Sequence, residues 1–161
     1  DTKLQAYALR SICLGITGSE ITTNRKDVSV EHIAPQNPQD QEWYERVAKL
    51  DNDDSDSEVL KVYEDYVYQW GNITILEQRL NSSVRNNVWN IKKSGLGKNK
   101  GYNVSTIATT AELMEIEQWT ADVIEKRTIW FAKVALKFWA KEVPLRGFNR
   151  VDGFKYVEAS N

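Results

Sequence analysis

A mostly helical α+β fold is what this sequence predicts, and three observations predict it. Apolar residues recur at helical spacing through most of the chain. Two short segments alternate apolar and polar residues as strands do. Glycines and prolines fall where these segments end. At 161 residues the chain reads as one domain, 1–161, long enough to bury a sizeable core. It starts on Asp1 rather than methionine, which reads as a piece excised from a longer protein.

Lys3 to Leu14 reads as a helix with Leu4, Tyr7, Ala8 and Ile12 on one face, closed by Gly15-Ile16-Thr17-Gly18. Asp27–Glu31 contains the alternating pair Val28 and Val30 and reads as a strand running into His32. Pro35 and Pro38 then break regular structure, and Glu42–Leu50 reads as a short helix. Asp51-Asn52-Asp53-Asp54-Ser55-Asp56 is an acidic surface loop. Its alternating aspartates lack the glycine and the closing glutamate of an EF-hand, so a calcium loop is set aside.

Glu58–Tyr68 reads as helical, Trp70-Gly71 ends it, and Asn72–Leu76, with Ile73 and Ile75 alternating, is a second strand. Leu80, Val84, Val88 and Ile91 then mark a single helix from about Arg79 to Lys93. Gly95–Gly101 is a flexible basic loop without the spacing of a Walker A motif. Thr109 with Glu112 reads as a capping box. It opens a long amphipathic helix carrying Trp119, Val123, Trp130, Val134 and Phe138 on one stripe and ending before Pro144. Gly147 to Asn161 reads as a weakly structured tail or a last short strand, and no internal repeat is visible.

The net charge of −2 points to no particular partner, but its distribution does. Residues 1–70 carry 7 Lys/Arg and 14 Asp/Glu, whereas residues 71–161 carry 14 and 9. Between Arg79 and Thr110 no acidic residue interrupts Arg79, Arg85, Lys92, Lys93, Lys98 and Lys100, a pattern that fits a phosphate-facing surface and, taken alone, fits an ordinary solvated basic face equally well. A single cysteine, Cys13, excludes an internal disulfide and a thiolate zinc site and fits a reducing cytoplasm. The most apolar run, Ile129–Trp139, is short and contains Lys133 and Lys137, so no membrane span is expected.

The one histidine, His32, stands in Glu31-His32-Ile33-Ala34-Pro35-Gln36, where a group able to take a proton near neutral pH adjoins a hard oxygen donor. Gly71-Asn72-Ile73-Thr74-Ile75-Leu76 and Asn81 follow. Each piece has a plainer explanation: Asn72 as turn chemistry, Asn81 as a helix cap, Arg127 as packing or a buried ion pair. Their joint occurrence in this order is the specific feature.

That order resembles the core of the HNH, or His-Me finger, nucleases. The first hexapeptide is similar to the Asp-His-Ile-Val-Pro-Gln stretch of the HNH domain in RNA-guided CRISPR nucleases, with Asn72 and Asn81 where that domain has its two asparagines. A closer resemblance is to the C-terminal nuclease domain of GmrSD-type, modification-dependent restriction enzymes. It extends through Lys92 or Lys93, Tyr102-Asn103-Val104-Ser105 and Trp119 with Ile124 and Arg127, about residues 28–140 in all. Glu31 departs from the commoner aspartate, and four rather than three residues separate Trp119 from Ile124.

The resemblance implies a ββα-metal core at about 27–93 surrounded by helices, with a C-terminal helical part at about 109–142. It implies DNA endonuclease activity in bacterial defence, with His32 and Asn72 catalytic and Glu31 and Asn81 holding Mg²⁺ or Mn²⁺. DNA contact falls to Arg79, Arg85, Lys92, Lys93, Lys98 and Lys100. An N-terminal nucleotide-hydrolysing sensor domain in the full-length protein is the implied partner, a homo-oligomer being left open. Two alternatives stand beside it: a DNA-binding module that has lost turnover, and a nuclease directed at RNA.

Overall fold

The fold is given by a computed structural model that describes residues 2–17, 21, 27–49 and 55–139. In chain order these form α1 (Thr2–Thr17), β1 (Val28–His32), α2 (Gln41–Val47), α3 (Asp56–Val67), β2 (Ile73–Glu77), α4 (Gln78–Val84), α5 (Trp89–Ser94), α6 (Ala108–Ala111) and α7 (Ala121–Trp139). Short 3-10 turns cover Trp70–Asn72, Tyr102–Val104 and Glu112–Glu115. The fold is thus α+β and mostly helical, as expected. The acidic segment at 51–54, the helix end at 140–142 and the tail from Gly147 lie outside the described residues.

β1 and β2 pair antiparallel, with Glu31 opposite Thr74 and His32 opposite Ile73. Because side chains alternate along a strand, this small sheet is buried on both sides. Ile73 and Ile75 join Leu9, Ile12, Ile16, Phe131 and Val134 under α1 and α7, with Val28 and Val30 packed against them. Leu76 faces the other way, into a cluster containing Ile33, Trp43, Tyr63, Leu80, Trp89, Tyr102 and Trp119. α4 follows β2 without a loop and packs on both strands.

Three helices differ from expectation, the first being α1, which runs on through Gly15 to Thr17 instead of closing there. The helix read from Arg79 to Lys93 is α4 and α5 separated by residues 85–88. The apolar spacing of Leu80, Val84, Val88 and Ile91 survives the interruption, which is why periodicity alone did not show it. Arg85 makes the break with φ 44° and ψ −136°, backbone that non-glycine residues rarely adopt. Likewise, Thr109 and Glu112 form no capping box: α6 starts after Ile107, Glu112 opens a 3-10 turn, and the long helix begins only at Ala121. A capping box does exist at the start of α3, where the Glu58 carboxylate accepts from the Ser55 N–H at 3.2 Å and hydroxyl at 2.7 Å.

α7 is locked onto the turn before β2. Gly71 donates its N–H to Thr128 Oγ1 at 2.9 Å. A Cβ on residue 71 would collide with the carbonyl oxygen of Ile124, so only glycine permits this approach.

Candidate functional site

His32 ends β1 half-buried, and neither ring nitrogen has a hydrogen-bond partner among the described residues. Burial, aided by the nearby positive charge of Lys92, holds its pKa below the ordinary 6.5. The imidazole is therefore neutral at pH 7 and able to accept a proton. The Tyr68 ring stands edge-on to the imidazole, with ring centroids 6.3 Å apart.

Glu31, one residue earlier, points to the opposite side of the sheet by strand alternation. Its Oε1 accepts from Lys92 Nζ at 2.6 Å and from the Tyr102 hydroxyl at 2.9 Å. Lys92 Nζ also donates to the carbonyl oxygen of His32 at 3.0 Å. Burial acts against both charges, raising Glu31 and lowering Lys92, and each partner's opposite charge offsets part of that effect. The Tyr102 phenol is pushed well up by burial and by Glu31. Lys92 is 0% exposed, which corrects its assignment as a DNA contact: it holds β1 from inside. One signal for this was in the sequence, since Lys92 lies four residues after Val88 on the apolar stripe.

Asn72 is fully buried with every side-chain valence in use. Its Oδ1 accepts from the Ala34 N–H at 2.8 Å and the Trp119 indole N–H at 3.0 Å. Its Nδ2 donates to the carbonyls of Ala34 at 2.9 Å and Val67 at 3.0 Å. With the Ile33 N–H donating to the Asn72 carbonyl at 2.9 Å, Asn72 extends the strand ladder past His32. It grips backbone rather than the His32 ring. Arg127, buried in α7, braces the same turn by donating to the carbonyls of Gly71 at 2.6 Å and Ile73 at 2.7 Å. Its guanidinium lies 4.4 Å from the Phe131 ring centroid, and burial lowers its pKa to about 9, so it remains charged at pH 7.

Asn81 reaches β1 from α4, donating to Ser29 Oγ at 2.8 Å and the Val30 carbonyl at 3.3 Å, while its Oδ1 has no hydrogen-bond donor among the described residues. Of the basic side chains, Arg79, Arg85, Lys98 and Lys100 are exposed, and Lys93 is half-buried and donates to the Ile116 carbonyl at 2.8 Å. The Ser83 hydroxyl, donating to the Lys100 carbonyl at 2.9 Å, ties the 95–101 turn to α4.

No three His, Cys, Asp or Glu side chains among the described residues cluster as a metal centre. Glu31 in particular does not fit as a cation ligand here, because an ammonium already neutralises it and a divalent ion would meet the repulsion of Lys92. Asn81 and His32 alone offer only neutral donors. An apolar cavity of about 500 Å³ between α1 and α7 is lined by none of these residues.

Glu31, His32, Asn72, Lys92, Tyr102, Trp119 and Arg127 therefore belong to one continuous buried support, and His32 is its half-exposed, chemically available member. No curated protein and no solved structure matches the chain. The family described as GmrSD restriction endonucleases, C-terminal domain, matches residues 3–134. The chain belongs to that family, the C-terminal domain of the GmrSD restriction endonucleases.

Proposed function

We propose that this domain is an HNH-type DNA endonuclease in which His32 is the general base. The observation that carries the reading is a neutral imidazole, without a hydrogen-bond partner among the described residues, on a strand end that is fixed from beneath by Lys92 and Asn72, in a chain of a restriction endonuclease family. A base must be deprotonated and held still to take a proton from water in the transition state. In this reading β1, β2 and α4 are the ββα core.

His32 accepts a proton from the attacking water, the new bond forms at phosphorus, the bond to the 3′ oxygen breaks, and that oxygen takes a proton from solvent. The products are a 5′-phosphate and a 3′-hydroxyl. Arg79, Arg85, Lys98 and Lys100, exposed on α4 and the adjoining turn, attract the strand's phosphates. Asn72 acts by positioning. A divalent cation, Mg²⁺ or Mn²⁺, would neutralise charge on the phosphate. Since Glu31 does not fit as its ligand, no step is derived through it. Supporting the defence role is the family itself, whose members are restriction enzymes.

The test is nicking of supercoiled plasmid with Mg²⁺, with Mn²⁺ and with chelator, comparing the domain with His32→Ala. The variant is expected to lose at least about 100-fold in rate. Equal cleavage by both proteins overturns His32 as the base, and plasmid binding without cleavage by either favours a module that only binds.

A further inference from the structure

Tyr68 caps the C-terminal end of α3 and is 63% exposed. Its ring nevertheless stands edge-on to the His32 imidazole, with centroids 6.3 Å apart and planes at 81°. Its hydroxyl has no hydrogen-bond partner among the described residues. A phenol that is exposed and bonds to none of the described residues is placed to act on something outside the core.

The placement of Tyr68 is enforced. The two amide hydrogens of Asn72 donate to the carbonyls of Ala34 and Val67, at 2.9 and 3.0 Å. Ala34 lies two residues after His32, and Val67 immediately precedes Tyr68. One buried side chain thus fixes the spacing between the two segments that carry the imidazole and the phenol. The Tyr68 N–H donates to the Glu64 carbonyl at 3.3 Å, so its backbone is also held by α3.

We propose that Tyr68 is a second residue of the phosphodiester site, its hydroxyl donating to a non-bridging oxygen of the phosphate on which His32 acts. The inference rests on the nuclease reading above. The Tyr68 ring meanwhile limits the rotation of the imidazole beside it. A neutral donor suits a phosphate oxygen because it strengthens as charge grows there and leaves the His32 proton balance untouched. No covalent change occurs at Tyr68: it donates a hydrogen bond and keeps its proton.

Tyr68→Phe removes the hydroxyl and keeps the ring, and Tyr68→Ala removes both. Each side chain is exposed, so both variants are expected to fold. Nicking by Tyr68→Phe should fall about tenfold relative to the unaltered domain, the size expected for one hydrogen bond to a charged group. Tyr68→Ala should fall further. Because His32 is the only histidine, a histidine-labelled NMR sample reports one ring: Tyr68→Ala should shift its resonance and Tyr68→Phe should leave it nearly in place. Nicking by Tyr68→Phe at the rate of the unaltered domain overturns the proposal, and a loss seen only in Tyr68→Ala would assign a packing or base-stacking role instead. If the unaltered domain proves as inert as His32→Ala, the nuclease reading fails separately. Titration of a short DNA duplex without metal, read at the His32 ring, then decides the phosphate contact. Binding weakened about tenfold by Tyr68→Phe supports it, and equal binding overturns it.

Discussion

Lys92 and Glu31 form a 2.6 Å ion pair that is inaccessible on the lysine side, and the same ammonium reaches the backbone carbonyl of His32. The charge that the sequence offers as a surface feature is thus a strut beneath the candidate base. Removing one partner strands the other in the interior.

Lys92→Met should therefore lower stability by about 3–5 kcal/mol, the usual result of breaking a buried pair from one side. The double variant Glu31→Gln/Lys92→Met should recover a large part of the loss. Chemical denaturation of Lys92→Met, Glu31→Gln and the double variant measures the coupling, and an additive double variant would show that the pair contributes nothing as a pair.

Asn72→Ala should cost at least about 3 kcal/mol, because it leaves four buried backbone or indole groups without their partner. Asn72→Asp should also destabilise, since a carboxylate cannot donate to the carbonyls of Ala34 and Val67. Thermal unfolding with near-ultraviolet circular dichroism provides the check. Loss of nicking without loss of stability would instead place Asn72 in direct contact with substrate.

The depressed pKa of His32 fixes a pH dependence. Between its folded value and the ordinary 6.5 the unfolded chain binds the extra proton and the folded chain does not, so stability rises with pH across that window. The contribution is present in full above 6.5 and is lost as pH falls through the folded value. His32→Gln should flatten that part of the stability curve. Nicking by the unaltered domain should persist to lower pH than an ordinary histidine would permit.

Arg85 holds a φ of 44° that glycine would adopt with less strain. Arg85→Gly should raise stability by about 1 kcal/mol while weakening DNA binding and making its salt dependence shallower by about one unit of slope. Melting temperature and binding across a salt series give the two readings. A variant gaining stability with binding unchanged would remove Arg85 from the DNA face.

His32, Asn72 and Asn81 draw attention in the sequence because they stand in ordered motifs on elements with clear periodicity, and both strands are visible for the same reason. Lys92 is harder to place, because a lysine inside a basic run reads as solvated and only its position on the Val88 stripe says otherwise. Glu31 was read as a ligand because its partners, Lys92 and Tyr102, are 61 and 71 residues away, a separation no local pattern registers. Tyr68 carried no signal at all: it is one exposed tyrosine at a helix end, and its neighbour becomes known only when Asn72 closes the gap. The break at Arg85 was hidden because α4 and α5 keep a common apolar face across it.

The bracing of the Gly71–Ile73 turn by Arg127, from 56 and 54 residues downstream, bears on how this domain can be dissected. A gene fragment ending at Lys93 would contain every motif residue expected to do chemistry. It would lack Tyr102, Trp119 and Arg127, whose side chains complete its scaffold. Such a minimal domain should not fold alone, and transplanting the candidate catalytic stretch into another host protein would require these distant supports to travel with it.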